Sequence, residues 1–175
     1  MSSPARKILT NVALLLLAFA LAFAFCEFAV RALYKDRTVL FPRYHTDYQY
    51  GRYTIRGIRP NANFRHTSID GSWEFTTNSR GFRNITDIDY AKPAGKLRIL
   101  SLGDSHTQGY EVRQESTFSA VLERYLAHHG VKAEVLNAGV SGYSTAEALA
   151  FLENEGYKYG PDVVLLGFYA NDFED

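Results

Sequence analysis

Residues 97–105 read Leu-Arg-Ile-Leu-Ser-Leu-Gly-Asp-Ser, a short apolar run that ends abruptly in a polar turn. Downstream, apolar residues at i, i+3 and i+4 predict a helix over 117–129. An apolar run at 131–136, a second helix from Ser144 and a third apolar run at 163–168 follow. Strand, helix, strand, helix and strand in this order predict an α/β fold, with a parallel sheet covered by helices.

Each of these three predicted strands ends in a polar or glycine-rich group. The groups are Gly103-Asp104-Ser105, the run Asn-Ala-Gly-Val-Ser-Gly at 137–142, and Asn171-Asp172. Right-handed crossovers bring the carboxyl ends of parallel strands to one edge of the sheet, where open α/β sheets hold their ligands. A serine in a tight turn after a strand is suited to act as a nucleophile. The backbone N–H groups of Ser105 and Gly142 and the Asn171 amide are three candidate donors to an oxyanion.

In their order and spacing, the three groups resemble the first three sequence blocks of the SGNH (or GDSL) hydrolases, over residues 96–175. The resemblance implies a flavodoxin-like three-layer α/β/α sandwich and a serine acyl-ester hydrolase or acyltransferase that uses no metal and no organic cofactor. It implies Ser105 as the nucleophile, with Ser105, Gly142 and Asn171 as the oxyanion hole. Asp104 and Asp172 are expected to support these groups. The run Asn-Ser-Arg-Gly-Phe-Arg at 78–83 and the Glu27/Arg31 pair also resemble the N-terminal region of a membrane-anchored subgroup of the family.

Two departures from the family pattern bear on function. Tyr169 stands where the third block usually has glycine, and the terminal Asp-x-x-His block of the family does not occur in the chain. A serine nucleophile needs a base within hydrogen-bond reach, and we expect His106 to pack or to meet solvent instead. We therefore expect the chain to be the front part of a longer protein, as a fragment or a truncated gene product.

A second hypothesis is a non-catalytic, membrane-tethered module that binds a carbohydrate or an acyl group with the same fold. Sequence beyond Asp175 would separate it from the enzyme. A nucleotide-binding protein is disfavoured, since the chain has neither a Gly-x-Gly-x-x-Gly motif nor a P-loop.

The N-terminal region predicts a membrane anchor. Residues 8–30 are twenty-three mostly apolar residues, about 34 Å as a helix and enough to span a bilayer. Basic residues in the tail 1–7 place the N-terminus in the cytoplasm by the positive-inside rule. The chain is then expected to cross the cell (inner) membrane once, with its bulk periplasmic or extracellular. A cleaved signal peptide is the alternative. The spacing of Glu27 and Arg31 predicts an i,i+4 ion pair.

Residues 31–95 predict a β-rich juxtamembrane segment, with a hairpin around Asp70-Gly71. Its clustered tyrosines are either a sugar-stacking platform or the cover of a small β-layer. Nineteen basic and nineteen acidic residues give zero net charge, which argues against nucleic acid as a partner. The expected partners are the lipid bilayer and an acyl-ester substrate, such as an ester on a surface glycoconjugate; oligomeric state is open.

Overall fold

A computed structural model describes residues 4–34, 44–68 and 71–173, without the side chains of Ser68, Asn171 and Phe173. The chain divides into two units, one N-terminal and one that contains everything from residue 41 onward. Part of the predicted juxtamembrane segment, at 35–43, lies outside the described residues, as does Asp70 of the predicted turn. The four predicted segments 1–7, 8–30, 31–95 and 96–175 stay predictions.

The N-terminal unit is a single helix, α1 (Pro4–Tyr34), none of whose residues is buried. It is long and apolar enough to cross a membrane, so it is a candidate membrane span or signal sequence; no other helix in the described ranges has this length and composition. The predicted ion pair is present, with Arg31 Nε 2.7 Å from Glu27 Oε1.

The second unit begins with two antiparallel hairpins, which confirm the expected β-rich segment. The first pairs β1 (His45–Tyr50) with β2 (Tyr53–Ile58). The second pairs β3 (Asn63–Ser68) with β4 (Gly71–Thr76), at the place where the Asp-Gly signal predicted a turn. Two of the tyrosine rings pack inward: Tyr44 is 6% exposed, and Tyr50 meets Phe151 edge-on at 5.4 Å. Tyr53 is exposed. These contacts favour the covering role over a sugar platform.

A three-stranded parallel sheet follows, as the apolar runs predicted. It consists of β5 (Leu97–Gly103), β6 (Ala133–Asn137) and β7 (Val163–Gly167), in the order β6-β5-β7. A central first strand with the second and third on either side is the order that opens a flavodoxin-like sheet. The α/β fold class is thus confirmed, and β5 is buried along almost its whole length.

The two longer helices between the strands agree with their predictions: one matches its predicted range to within one residue at each end, and the other begins at its predicted cap. A short helix α2 (Ser105–Gln108) follows β5, α3 is Phe118–His128, and α4 is Thr145–Asn154. Ser144 and Glu147 form the reciprocal capping box at the start of α4. Gly130, just beyond α3, has a φ of +77°, the left-handed conformation that suits glycine after a helix end.

The face that α3 turns to the sheet differs from the apolar stripe in its sequence. Phe118, Val121 and Tyr125 belong to that stripe and are exposed. Instead, Glu123 Oε2 accepts a hydrogen bond of 2.9 Å from the Val135 N–H on the outer edge of β6. An open strand edge carries amide groups without a strand partner. The Glu123 carboxylate is turned toward the sheet, where it binds one of these amides. In α4, Leu149 is likewise exposed, whereas Ala148 and Phe151 are buried as expected.

Hairpins and parallel sheet share one hydrophobic core. Its buried members include Tyr44, Ile58 and Phe75 from the hairpin segment and Leu100 and Leu136 from the sheet. The hairpin segment therefore packs directly against the part of the chain that carries the candidate site.

Candidate active site

Ser105 is the first residue of α2 and lies immediately beyond the carboxyl end of β5. Asp104 precedes it as the N-cap, and its carboxylate accepts a hydrogen bond of 2.8 Å from the His106 N–H. Gly103 has a φ of +144°, a conformation that side-chain-bearing residues rarely adopt. This glycine and this cap together turn the chain sharply enough to leave the Ser105 side chain half-buried at the sheet edge.

The turn fits closely against the end of β7. A Cβ added to Gly103 would lie 2.3 Å from Thr107 Oγ1, and one added to Gly167 would lie 2.2 Å from the same oxygen. Thr107 thus occupies the space left by two glycines at the ends of two neighbouring strands, which brings the first and third sequence blocks together.

The loop after β6 meets α2 from the other side. The Val140 N–H donates to the Gly103 carbonyl at 3.0 Å, and the Ser141 hydroxyl hydrogen-bonds Gln108 Oε1. A Cβ on Gly139 would lie 2.3 Å from the backbone nitrogen of Gln108. The carboxyl ends of all three strands therefore adjoin the short helix that begins with Ser105.

Two of the three candidate oxyanion donors are unengaged. Within the described residues, neither the Ser105 N–H nor the Gly142 N–H donates a hydrogen bond. Asn171 lies in a 3-10 helix, Ala170–Phe173, that follows β7; its side chain is outside the described part, so its predicted role as third donor stays a prediction. Gly142 is exposed, with a φ of +82°.

Asp104 and Asp172 both hold turns. Asp104 is 1% exposed and caps α2. Asp172 is also buried, and its Oδ2 accepts a hydrogen bond of 3.2 Å from the Tyr169 N–H while its own N–H donates to the Tyr169 carbonyl. Each carboxylate fixes the backbone next to a candidate site residue, Ser105 in one case and Asn171 in the other.

The His106 ring contacts Asp104 and Tyr169. Its Nδ1 lies 3.1 Å from Asp104 Oδ2, and the ring packs on that of Tyr169 with 4.0 Å between centroids. Tyr169, which replaces the usual glycine of the third block, thereby links that block to the first. In the described residues, no imidazole hydrogen-bonds the Ser105 hydroxyl.

A cavity of about 470 Å³ opens beside Ser105 and His106. Its wall continues through the segment from Gly109 to Val112 and reaches Phe118 at the start of α3. Tyr110, Val112 and Phe118 make much of the lining apolar, and Glu111 is the acidic residue among them. A serine at one end of a mostly apolar cavity is suited to an ester whose acyl or aryl part is apolar.

His66 lies behind this wall and is buried without hydrogen bonds. It is 3% exposed, and neither ring nitrogen has a partner among the described residues. Its ring packs against Trp73 at 4.8 Å and edge-on against Tyr110 at 4.5 Å. Burial, the largest cause, lowers the pKa of His66, and the positive charge of Arg83 lowers it further, while Glu111 opposes the shift.

We expect this histidine to make the unit less stable in acid. The unfolded chain binds a proton at His66 below about pH 6.5, whereas the native state does not, so the free energy of unfolding falls with decreasing pH by up to about 1.4 kcal/mol per pH unit. Urea unfolding of the detergent-solubilised protein between pH 7.5 and 5, followed by the fluorescence of Trp73, measures this loss. His66→Phe should reduce it, whereas substitution of exposed His128 by glutamine should not. An unchanged pH dependence in His66→Phe would contradict this assignment.

Two residues that shape the site, Thr107 and Arg83, are not part of the three sequence blocks. Thr107 gains its place only because Gly103 and Gly167 leave room for it. Arg83 donates hydrogen bonds to the backbone just after α2. A signal for Arg83 existed in the Asn-Ser-Arg-Gly-Phe-Arg run at 78–83, which resembles a membrane-anchored subgroup of the family, but that run does not say what the arginine contacts.

Comparisons with known proteins match the same part of the chain. A family model described as GDSL-like lipase/acylhydrolase matches residues 101–175. An arylesterase from Vibrio mimicus is 36% identical over 75 residues, which are 43% of this chain and 38% of that protein. The crystal structure of AlinE4, described as an SGNH-hydrolase family esterase, is 32% identical, covers 47% of this chain and 45% of its own, and has a TM-score of 0.40. A mutant of the same esterase has the same identity and coverage, with a TM-score of 0.39.

The chain spans less than half the length of these relatives. Residues 101–175 thus match the GDSL-like lipase/acylhydrolase family, also called the SGNH hydrolases.

Proposed function

We propose that the protein is a serine acyl-ester hydrolase or acyltransferase with Ser105 as its nucleophile. The observation that carries the proposal is the meeting of three strand ends around α2, with Gly103, Gly139 and Gly167 packed against Thr107 and Gln108. This packing leaves the Ser105 hydroxyl beside an apolar cavity. The names of the esterase relatives point to the same reaction class.

In the proposed reaction, Ser105 Oγ attacks the ester carbonyl carbon and gives up its proton to a base. The carbonyl oxygen becomes an oxyanion, for which the N–H groups of Ser105 and Gly142 and the Asn171 amide are the proposed donors. A single such donor is worth about 2.7–4 kcal/mol in the transition state. Collapse of the intermediate expels the alcohol and leaves an acyl-serine, which water hydrolyses or an acceptor hydroxyl takes up.

The base is proposed to be the histidine of an Asp-x-x-His block, as the family resemblance implies. Residues 1–175 contain no such block. His106 is not proposed for this role, because its ring packs against Tyr169 and neither ring nitrogen hydrogen-bonds the Ser105 hydroxyl in the described residues. The activity is therefore proposed for the full-length protein.

We also propose that α1 anchors the enzyme in the cell membrane with the catalytic unit outside the cytoplasm. The apolar length of α1 and the basic residues Arg6 and Lys7 near its start support this orientation. An outward-facing site suits an ester on a surface glycoconjugate whose acyl group is apolar enough for the cavity.

Active-site labelling tests both parts of the proposal. In cells that express the full-length protein, a membrane-permeant fluorophosphonate should form an adduct in which Ser105 Oγ has displaced fluoride, located by mass spectrometry of the tryptic peptides. A charged, impermeant fluorophosphonate should label Ser105 in intact cells equally well. An adduct at another residue, or none, contradicts the assigned nucleophile and favours the binding module. Labelling by the permeant reagent alone contradicts the orientation.

A further inference from the structure

Arg83 is a buried cation without a carboxylate partner. It is 0% exposed, and no acidic side chain in the described part of the chain lies within ion-pair distance of it. Burial lowers the pKa of its guanidinium to about 10, so the group still carries its charge at neutral pH. Burying such a charge is unfavourable unless the guanidinium N–H groups have hydrogen-bond acceptors.

All the side-chain hydrogen bonds of Arg83 go to one short segment, residues 108–114. Nη1 donates to the carbonyl of Gln108 at 3.0 Å and to that of Gly109. Nη2 donates to the carbonyl of Val112 at 2.5 Å, and Nε donates to Gln114 Oε1 at 3.1 Å. The guanidinium thus connects the end of α2 with the loop that follows it.

The arginine is itself held firmly from behind. Its guanidinium lies 4.5 Å from the centroid of the Phe75 ring, in a cation–π contact. Its backbone N–H donates to the Asn137 carbonyl at 3.0 Å, and its own carbonyl accepts from Gln114 Nε2 at 2.7 Å. Arg83 therefore joins the β3–β4 hairpin and the end of β6 to the loop after the nucleophile.

The loop held by Arg83 is also the wall of the cavity beside Ser105. Gly109, Tyr110, Glu111 and Val112 all line that cavity. Two of the carbonyls that Arg83 binds, those of Gly109 and Val112, bracket the wall. Without the guanidinium, the Val112 carbonyl would lose its donor inside the protein, and the Gly109 carbonyl would keep only the Val112 N–H. The wall would have to move to regain partners.

We propose that Arg83 is a positioning residue that determines which acyl groups the enzyme accepts, by holding residues 109–112 as the wall of the acyl pocket. This proposal rests on the proposed function of Ser105. A planar guanidinium offers five donors in a fixed fork, whereas a lysine ammonium offers three on a flexible stem. Lysine is therefore not expected to replace arginine at this position.

Arg98 provides a matched control for a purely structural role. It is 1% exposed and donates to the carbonyls of Asp89, Tyr90 and Tyr159. It lies near the start of β5, at the opposite end of the strand from Ser105. Arg98→Met should therefore destabilise the unit without touching the pocket.

The test compares Arg83→Met, Arg83→Lys and Arg98→Met in the full-length protein, with p-nitrophenyl acetate and p-nitrophenyl hexanoate as substrates. In both Arg83 variants, the KM for the hexanoate should rise at least about tenfold, the equivalent of one lost hydrogen bond, with the acetate kcat/KM changed less than about twofold. Arg98→Met should change both esters by the same factor. Equal losses on both esters in the Arg83 variants would overturn the proposal.

Hydrogen exchange separates this proposal from the proposed function. Amides of residues 109–113 should exchange at least about tenfold faster in Arg83→Met than in the wild type, and should be unchanged in Arg98→Met. Faster exchange without any ester turnover by the wild type would leave Arg83 holding the wall but would refute the assigned reaction, and with it the specificity claim. Unchanged exchange would refute the positioning role whatever the activity.

Discussion

Replacing Ser105 by alanine should reduce kcat for p-nitrophenyl ester hydrolysis by about 10⁴-fold or more, with little change in KM. Alanine removes the only atom of this residue that can attack the carbonyl, but it leaves the backbone N–H and the neighbouring wall in place. Ser105 is half-buried and its hydroxyl makes no hydrogen bond in the described structure. The free energy of unfolding should therefore change by less than about 1 kcal/mol.

Two further variants serve as comparisons for Ser105→Ala. Asn171→Ala should lower kcat by about 10²–10³-fold, the usual effect of losing one oxyanion donor, so its loss should be clearly smaller than that of Ser105→Ala. Ser79→Ala removes an exposed serine hydroxyl outside the cavity and should leave the rate unchanged. If Ser105→Ala retained more than a hundredth of the wild-type kcat, Ser105 would not be the nucleophile.

Replacing Gly139 by alanine should cost about 3–5 kcal/mol of unfolding free energy, or displace α2 and abolish activity. The added methyl would lie 2.3 Å from the Gln108 backbone nitrogen and 2.7 Å from the Thr107 carbonyl carbon. Both neighbours are backbone atoms of the nucleophile helix, so the clash cannot be relieved by rotation of a side chain. Urea unfolding followed by Trp73 fluorescence, together with fluorophosphonate labelling, measures the two consequences.

Gly130→Ala is the matched control, because the expected destabilisation comes from backbone conformation and not from a steric clash. No atom lies within 4 Å of the added methyl, but the backbone has a φ of +77°. The expected cost is only the strain of the left-handed conformation, about 1–2 kcal/mol, without any loss of labelling. Similar effects of the two substitutions would show that close packing against α2 is not what requires glycine at residue 139.

The local parts of the fold could be predicted because they depend on nearby residues. The capping box of Ser144 and Glu147 acts over three residues, and the end of α3 before Gly130 depends on one backbone conformation. The face of α3 could not be predicted in this way. On its covered side, Glu123 bonds an amide at the outer edge of β6, and the spacing of apolar residues in α3 does not predict that contact.

The candidate site likewise has features that could be predicted from the sequence and features that could not. The meeting of the three strand ends was predictable, because parallel strands joined by right-handed crossovers must end at one edge. That His106 packs or meets solvent was expected, but its packing partner was not predictable, because Tyr169 lies sixty-three residues away along the chain.

By itself, the sequence determined the order of strands and helices, the helix caps and the turn that presents Ser105, since these follow from periodicity and from hydrogen bonds between near neighbours. Only the tertiary structure decided that Arg83 supports the cavity wall, that Thr107 fills the space between two glycines, and which face of α3 is covered. The Arg83 contacts join groups 25 or more residues apart, Thr107 packs between the ends of two strands, and Glu123 bonds the edge strand of the sheet. They exist only where packing brings the two segments within the few ångströms over which a hydrogen bond or a steric clash acts.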